Sequence, residues 1–202
     1  MKARPTPSVD DLLKTSFTER GRGCLYTRVL FRAGQKTPDH WKCFNDALGY
    51  RASWNPDHNC EFSDTNMLQP EILSPPYDLI ATRFLFVFEP DSPDASAFVR
   101  SYSWRFHILQ KAFGNSPVLT VAVKGRMSKL LEGFPPEYKP GKYPAPMLQP
   151  MARPFTFDCG QNAKYIPPLT PFYVSLNGTP IKLAADLNFY VVIDGTLNLS
   201  VQ

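Results

Sequence analysis

Apolar and polar residues alternate along much of this chain, with a period of two rather than 3.6 residues. Leu25, Thr27, Val29 and Phe31 fall on one side of a run in which Tyr26, Arg28, Leu30 and Arg32 fall on the other. That pattern predicts a first strand with a basic outer face. Leu79–Glu89 predicts a strand with Phe84, Phe86 and Phe88 on one face and Arg83, Leu85 and Val87 on the other, covered on both sides. Phe98–Leu109 alternates again, Val118–Val123 reads as a buried strand, and Phe155–Phe157 as a short one. From Phe172 to Gln202, Asn177-Gly178 and Asp194-Gly195 each lie between β-branched and aromatic runs, which predicts two tandem hairpins.

Helical signals are few. Ser8 opens a short amphipathic stretch with Val9, Leu12, Leu13 and Phe17 on one face. Thr37-Pro38-Asp39 has the residues of a helix start, followed by Trp41, Phe44 and Leu48 at helical spacing and Gly49 at the end. Ser128–Gly133 predicts one more turn of helix. The segment from Tyr50 to Pro76 reads as a long loop excursion, and such loops in compact domains usually have a purpose.

Eight or nine strands with little helix make an antiparallel all-β chain, a sandwich or a barrel. The 21 prolines among 202 residues are about twice the usual usage of about 5%. Seven of them fall between Phe134 and Pro154, which predicts an extended, polyproline-like segment lying on a surface or on a neighbouring molecule. A jelly roll with short helical insertions fits best, because it tolerates long Pro-rich connections. The expected organisation is a basic N-terminal arm over residues 1–23 and one β-sandwich domain over 24–202.

The net charge of +4 is uneven: residues 1–60 carry ten Lys/Arg against six Asp/Glu, and residues 61–202 carry twelve of each. The surplus points to phosphate contact by Lys2, Arg4, Lys14, Arg20 and Arg22, since neutralised phosphates release counterions. The N-terminus lacks an apolar core of signal-peptide length and no run reaches about 18 apolar residues, so a soluble, cytosolic product and no membrane partner are expected. Four irregularly spaced cysteines do not suggest a disulfide framework.

Candidate chemistry is sparse. His40, Cys43, His58 and Cys60 fall within 21 residues, and two imidazoles with two thiolates could hold zinc. The competing reading buries Cys43 on a helix and leaves His58 in a loop, with no cofactor required. His107 stands on a strand with no nucleophile beside it in any recognised pattern. Arg100-Ser-Tyr102-Ser-Trp104-Arg105 could stack bases between cations, but its alternation favours Tyr102 and Trp104 as core residues.

Leu183–Ile193 followed by Thr196–Val201 resembles the last strand pair of small icosahedral virus coat proteins of the jelly-roll type. A chain near 200 residues with a basic N-terminal portion and long Pro-rich loops is similar to theirs. The resemblance implies a structural capsid protein, not an enzyme. It would self-assemble with copies of itself or related coat subunits into a virion, with nucleic acid against the N-terminal region and intersubunit contacts at 50–76 and 134–154. Residues 1–36 hold eight cations against three acids, fewer than the dense arms of many such proteins. The alternative is a non-catalytic β-sandwich binding module of a larger cellular complex, RNA-associated, in the cytosol or an organelle.

Overall fold

The computed structural model describes residues 22–88, 93–111, 117–128 and 155–199. In chain order these form β1 (Arg22–Phe31), β2 (His40–Cys43), β3 (Arg51–Ala52), β4 (Asn55–Asn59), β5 (Tyr77–Phe88), α1 (Ala95–Ser101), β6 (Tyr102–Lys111), β7 (Pro117–Arg126), β8 (Phe155–Asp158), β9 (Lys164–Ile166), β10 (Phe172–Gly178) and β11 (Leu187–Leu199). The protein is all-β, and among the described residues every pairing between strands is antiparallel.

One sheet runs β1-β11-β5-β8, with β9 beside β8 on the same edge of β5; the other runs β2-β10-β6-β7; β3 and β4 form a small separate hairpin. The two larger sheets meet through aromatic rings. Trp104 of β6 lies 5.1 Å from Phe84 and 5.6 Å from Phe86 of β5, and 5.2 Å from Phe157 of β8, centroid to centroid. Phe31 of β1 meets Trp41 of β2 edge to face at 5.2 Å. Such tilted and edge-on pairs add to the burial of the rings themselves. Helix α1 contributes Ala95, Phe98 and Val99 to the same core, with Phe98 against Phe31, Phe88 and Phe189.

Several sequence-based expectations give way. The helix predicted from Thr37 is β2: Trp41 and Cys43 turn inward, His40 and Lys42 outward, and the strand pairs with Val174–Asn177. The Thr37 hydroxyl that reads as a helix cap instead accepts from the Ile181 N–H at 3.0 Å and from the Tyr102 hydroxyl at 2.7 Å. Phe44, at φ +72°, ends the strand. Conversely, Ala95–Ser101, whose second half the alternation predicts as strand, is helical; two alanines favour that state, and its buried residues recur at helical spacing.

The two expected C-terminal hairpins are absent. Asn177-Gly178 closes β10, and Asp194-Gly195 lies inside β11, so the two strands belong to different sheets. At Asp194/Gly195 the register with β5 shifts, and Thr82 is the residue passed over between Arg83 and Ala81. This bulge turns Leu79 and Ala81 into the core on the same side as Phe84, Phe86 and Phe88, out of phase with strict alternation. Ser8–Phe17, most of Ser128–Gly133, and the Pro-rich stretch up to Pro154 lie outside the described residues.

Candidate functional site

The outward face of the four-stranded sheet gathers most of the chemistry. Directly paired residues share a face, and three cross-strand rows can be followed over it. His40, Asn177, Ser103 and Arg126 form the first; Lys42, Ser175, Arg105 and Lys124 the second; Tyr173, His107 and Val121 the third. His40 Nδ1 lies 2.7 Å from the Asn177 side-chain oxygen, and His107 Nε2 3.0 Å from the Ser175 hydroxyl. His107 stacks on Tyr173 at 4.4 Å, and the Lys42 ammonium sits over the same ring at 4.3 Å while bonding Glu71 at 2.6 Å. Burial first, then Arg105, His40 and Lys42, hold the His107 imidazole below its ordinary pKa.

Strand β7 corrects a further expectation. Its apolar run predicts a buried strand, yet Val118, Leu119 and Val121 are 45%, 41% and 45% exposed. Among the described residues β7 pairs only with β6, so it is an edge strand. A shift at Phe106/His107 leaves Ala122 unmatched and brings Val121 onto the outward face beside His107. A cleft of about 630 Å³ adjoins this end, lined by Ile108, Leu109, Ala122, Lys164, Tyr165 and Pro167 among others.

The 46–67 region holds a second polar cluster, and it is a structural tie. Asp64 accepts from His58 at 2.7 Å, Arg28 at 3.1 Å and the Glu61 N–H at 3.0 Å. Burial alone would raise its carboxyl, but these three donors hold it below the ordinary value. Asp46 accepts from the Ser53 N–H and hydroxyl, and Arg28 lies over the Trp54 ring at 5.3 Å. The loop excursion is thereby fastened to β1.

The four residues considered for zinc do not form one ligand set. His40 and Cys43 lie on opposite faces of β2, His40 engages Asn177, and His58 engages Asp64. Burial pushes the Cys60 thiol up to about 12 and the Cys43 thiol well above its ordinary value, away from the thiolate a metal takes. Among the described residues no three His, Cys, Asp or Glu side chains are grouped to hold a metal ion.

Of the residues read as nucleic-acid contacts, Lys2, Arg4, Lys14 and Arg20 lie outside the described residues. Arg22 opens β1 opposite Thr196. Tyr102 and Trp104 are core residues, as their alternation implied, while Arg105 is exposed. What sequence reasoning passed over is that β2, β6, β7 and β10 contain no Asp or Glu at all. The signal was present in the residues but scattered over four distant segments.

No family model, no curated protein and no solved structure matches this chain. Among the described residues no helix is long and apolar enough to cross a membrane.

Proposed function

We propose that this chain is a shell-forming coat protein built on a jelly-roll sandwich. The observation that carries the reading is the pairing order. With β8 and β9 counted as one interrupted strand and the small β3–β4 hairpin set aside, eight strands remain. The first pairs with the last (β1–β11), the second with the seventh (β2–β10), the third with the sixth (β5 with β8 and β9), and the fourth with the fifth (β6–β7). That is one long antiparallel ribbon rolled up, so that β11 then meets β5 and β10 meets β6. Eight-stranded rolls of this kind recur in viral capsid domains, and also in lectins and cupins.

Fold alone does not choose among these. A roll that holds its ligand between the two sheets needs a polar or hollow interior, whereas here that space is filled by Phe84, Phe86, Trp104, Phe106 and Phe172. Strand β7 supports a shell further, because an exposed apolar edge is a template for another chain. Copies of this chain are the proposed occupant, since a sequence with seven prolines between Phe134 and Pro154 has less chain entropy to lose on association. The subunit is structural, it carries no catalytic duty, and nucleic acid lies against its N-terminal region.

Size-exclusion chromatography with light scattering, at low and moderate salt, tests the reading. Large closed particles are expected, and Leu119→Lys with Val121→Lys is expected to reduce them to small species without loss of folding. A wild-type chain that stays monomeric at every concentration and salt overturns the shell and favours a binding module.

A further inference from the structure

The outer face of the four-stranded sheet carries positive charge that the fold does not need. Arg105 and Lys124 are directly opposite on β6 and β7, and Arg126 follows two residues along β7. Like charges placed directly opposite destabilise a sheet. Adjacent strands are about 5 Å apart and alternate residues about 7 Å, so the three cations share one small area. All three are exposed, and among the described residues none takes part in an ion pair. The other sheet is different. Its Arg83 pairs with Asp194, its Arg28 with Asp64, and Asp78 and Asp158 lie within its strands.

We propose that this face, centred on Arg105, Lys124 and Arg126, binds the phosphate backbone of nucleic acid. Around the cations stand groups that can donate or accept hydrogen bonds: Ser103, Asn177 and His40. Among the described residues, the one acid paired with a cation of the face, Glu71, is engaged with Lys42. Bases gain little here, because the Tyr173 ring already carries His107 and Lys42. Binding is therefore electrostatic and independent of base sequence. The His107 imidazole on this face is held below its ordinary pKa by burial first and by Arg105, His40 and Lys42 after it. The site is built from residues other than Lys2, Arg4, Lys14 and Arg20, and it does not depend on the chain forming a shell.

The test is fluorescence anisotropy of a labelled oligothymidylate with the full chain across a salt series, with particle size followed separately. In the triple variant Arg105→Gln/Lys124→Gln/Arg126→Gln, affinity at low salt is expected to fall about tenfold or more. The slope of log K against log salt is expected to shrink by about 2, from roughly 0.7 per lost contact. The same losses are expected in a background with Lys2, Arg4, Lys14 and Arg20 changed to Gln. Should the triple variant unfold, Arg105→Gln alone carries the test, with an expected slope change of about 0.7. Unchanged affinity and slope in a folded variant overturn the proposal. So does polyglutamate that displaces the probe as well as unlabelled oligothymidylate does at equal charge, which would assign the face to an acidic polypeptide.

Discussion

At Gly195 a methyl group would overlap the carbonyl of Ile80, and at Gly178 it would overlap the carbonyl of Ser101 and the Tyr102 ring. Both glycines follow Asn or Asp, and the dipeptide invites a turn reading, yet neither has a positive φ. Glycine stands there because another backbone comes close. Gly34 and Gly49 are the opposite case, with φ of +78° and +77° and open space where a Cβ would stand. Replacement by Ala should separate the two causes. Gly34→Ala is expected to cost about 1–2 kcal/mol, from backbone conformation alone. Gly195→Ala is expected to cost about 3 kcal/mol, at the top of the usual overpacking range, since a carbonyl cannot swing aside as a side chain can. Urea midpoints of the two variants check the order, and an equal or reversed cost counts against the close approach.

Among the elements, β6 and β7 differ most in what alternation could reveal. Tyr102, Trp104, Phe106 and Ile108 are buried as their spacing implies. Val118, Leu119 and Val121 of β7 read the same way in sequence, but among the described residues this strand has one neighbour instead of two, and they are exposed. The same ribbon makes His107 a reporter of the basic face. Its native pKa lies below the unfolded value of 6.5, so the unfolded chain takes up this proton first as pH falls. His107 therefore costs no stability well above 6.5, and an increasing amount as pH falls below it. Arg105→Gln should move the imidazole pKa up towards 6.5 and lessen that acid-side loss, measured by NMR titration of the ring. A His107 pKa unmoved by the substitution would mean that burial alone sets it. Strand β2 was illegible for another reason: four residues are too few to display a period, and pairing with β10 outweighs the local helix signals around Thr37.

For the whole molecule, the decisive contacts join residues far apart in sequence. Trp104 receives rings from Phe84, Phe86 and Phe157, and is fully buried. Trp104→Ala removes the ring that ties the two sheets together and is expected to cost about 3–5 kcal/mol. Chemical denaturation followed by far-UV circular dichroism measures this; a loss below about 1 kcal/mol would mean that the sheets do not depend on that contact. The basic face also exists only at this scale. Lys42, Arg105, Lys124 and Arg126 come from three strands and are brought onto one surface by pairing through β10 and β6. A charge count along the chain placed the surplus in the first 60 residues, because it cannot weigh where distant acids are absent.

Period-two alternation and Pro-rich breaks, both local properties, were enough to determine an antiparallel all-β chain and most of its long strands. They also marked Tyr102 and Trp104 for the interior. Tertiary structure alone decided which strands are neighbours, that β10 and β11 part into different sheets, that Thr82 and Ala122 are passed over in the register, and that β7 is an edge. The physical reason is that strand pairing is a contact between remote segments. Its register, its edges and the charges it gathers follow from closure of the whole ribbon, which no short window of residues contains.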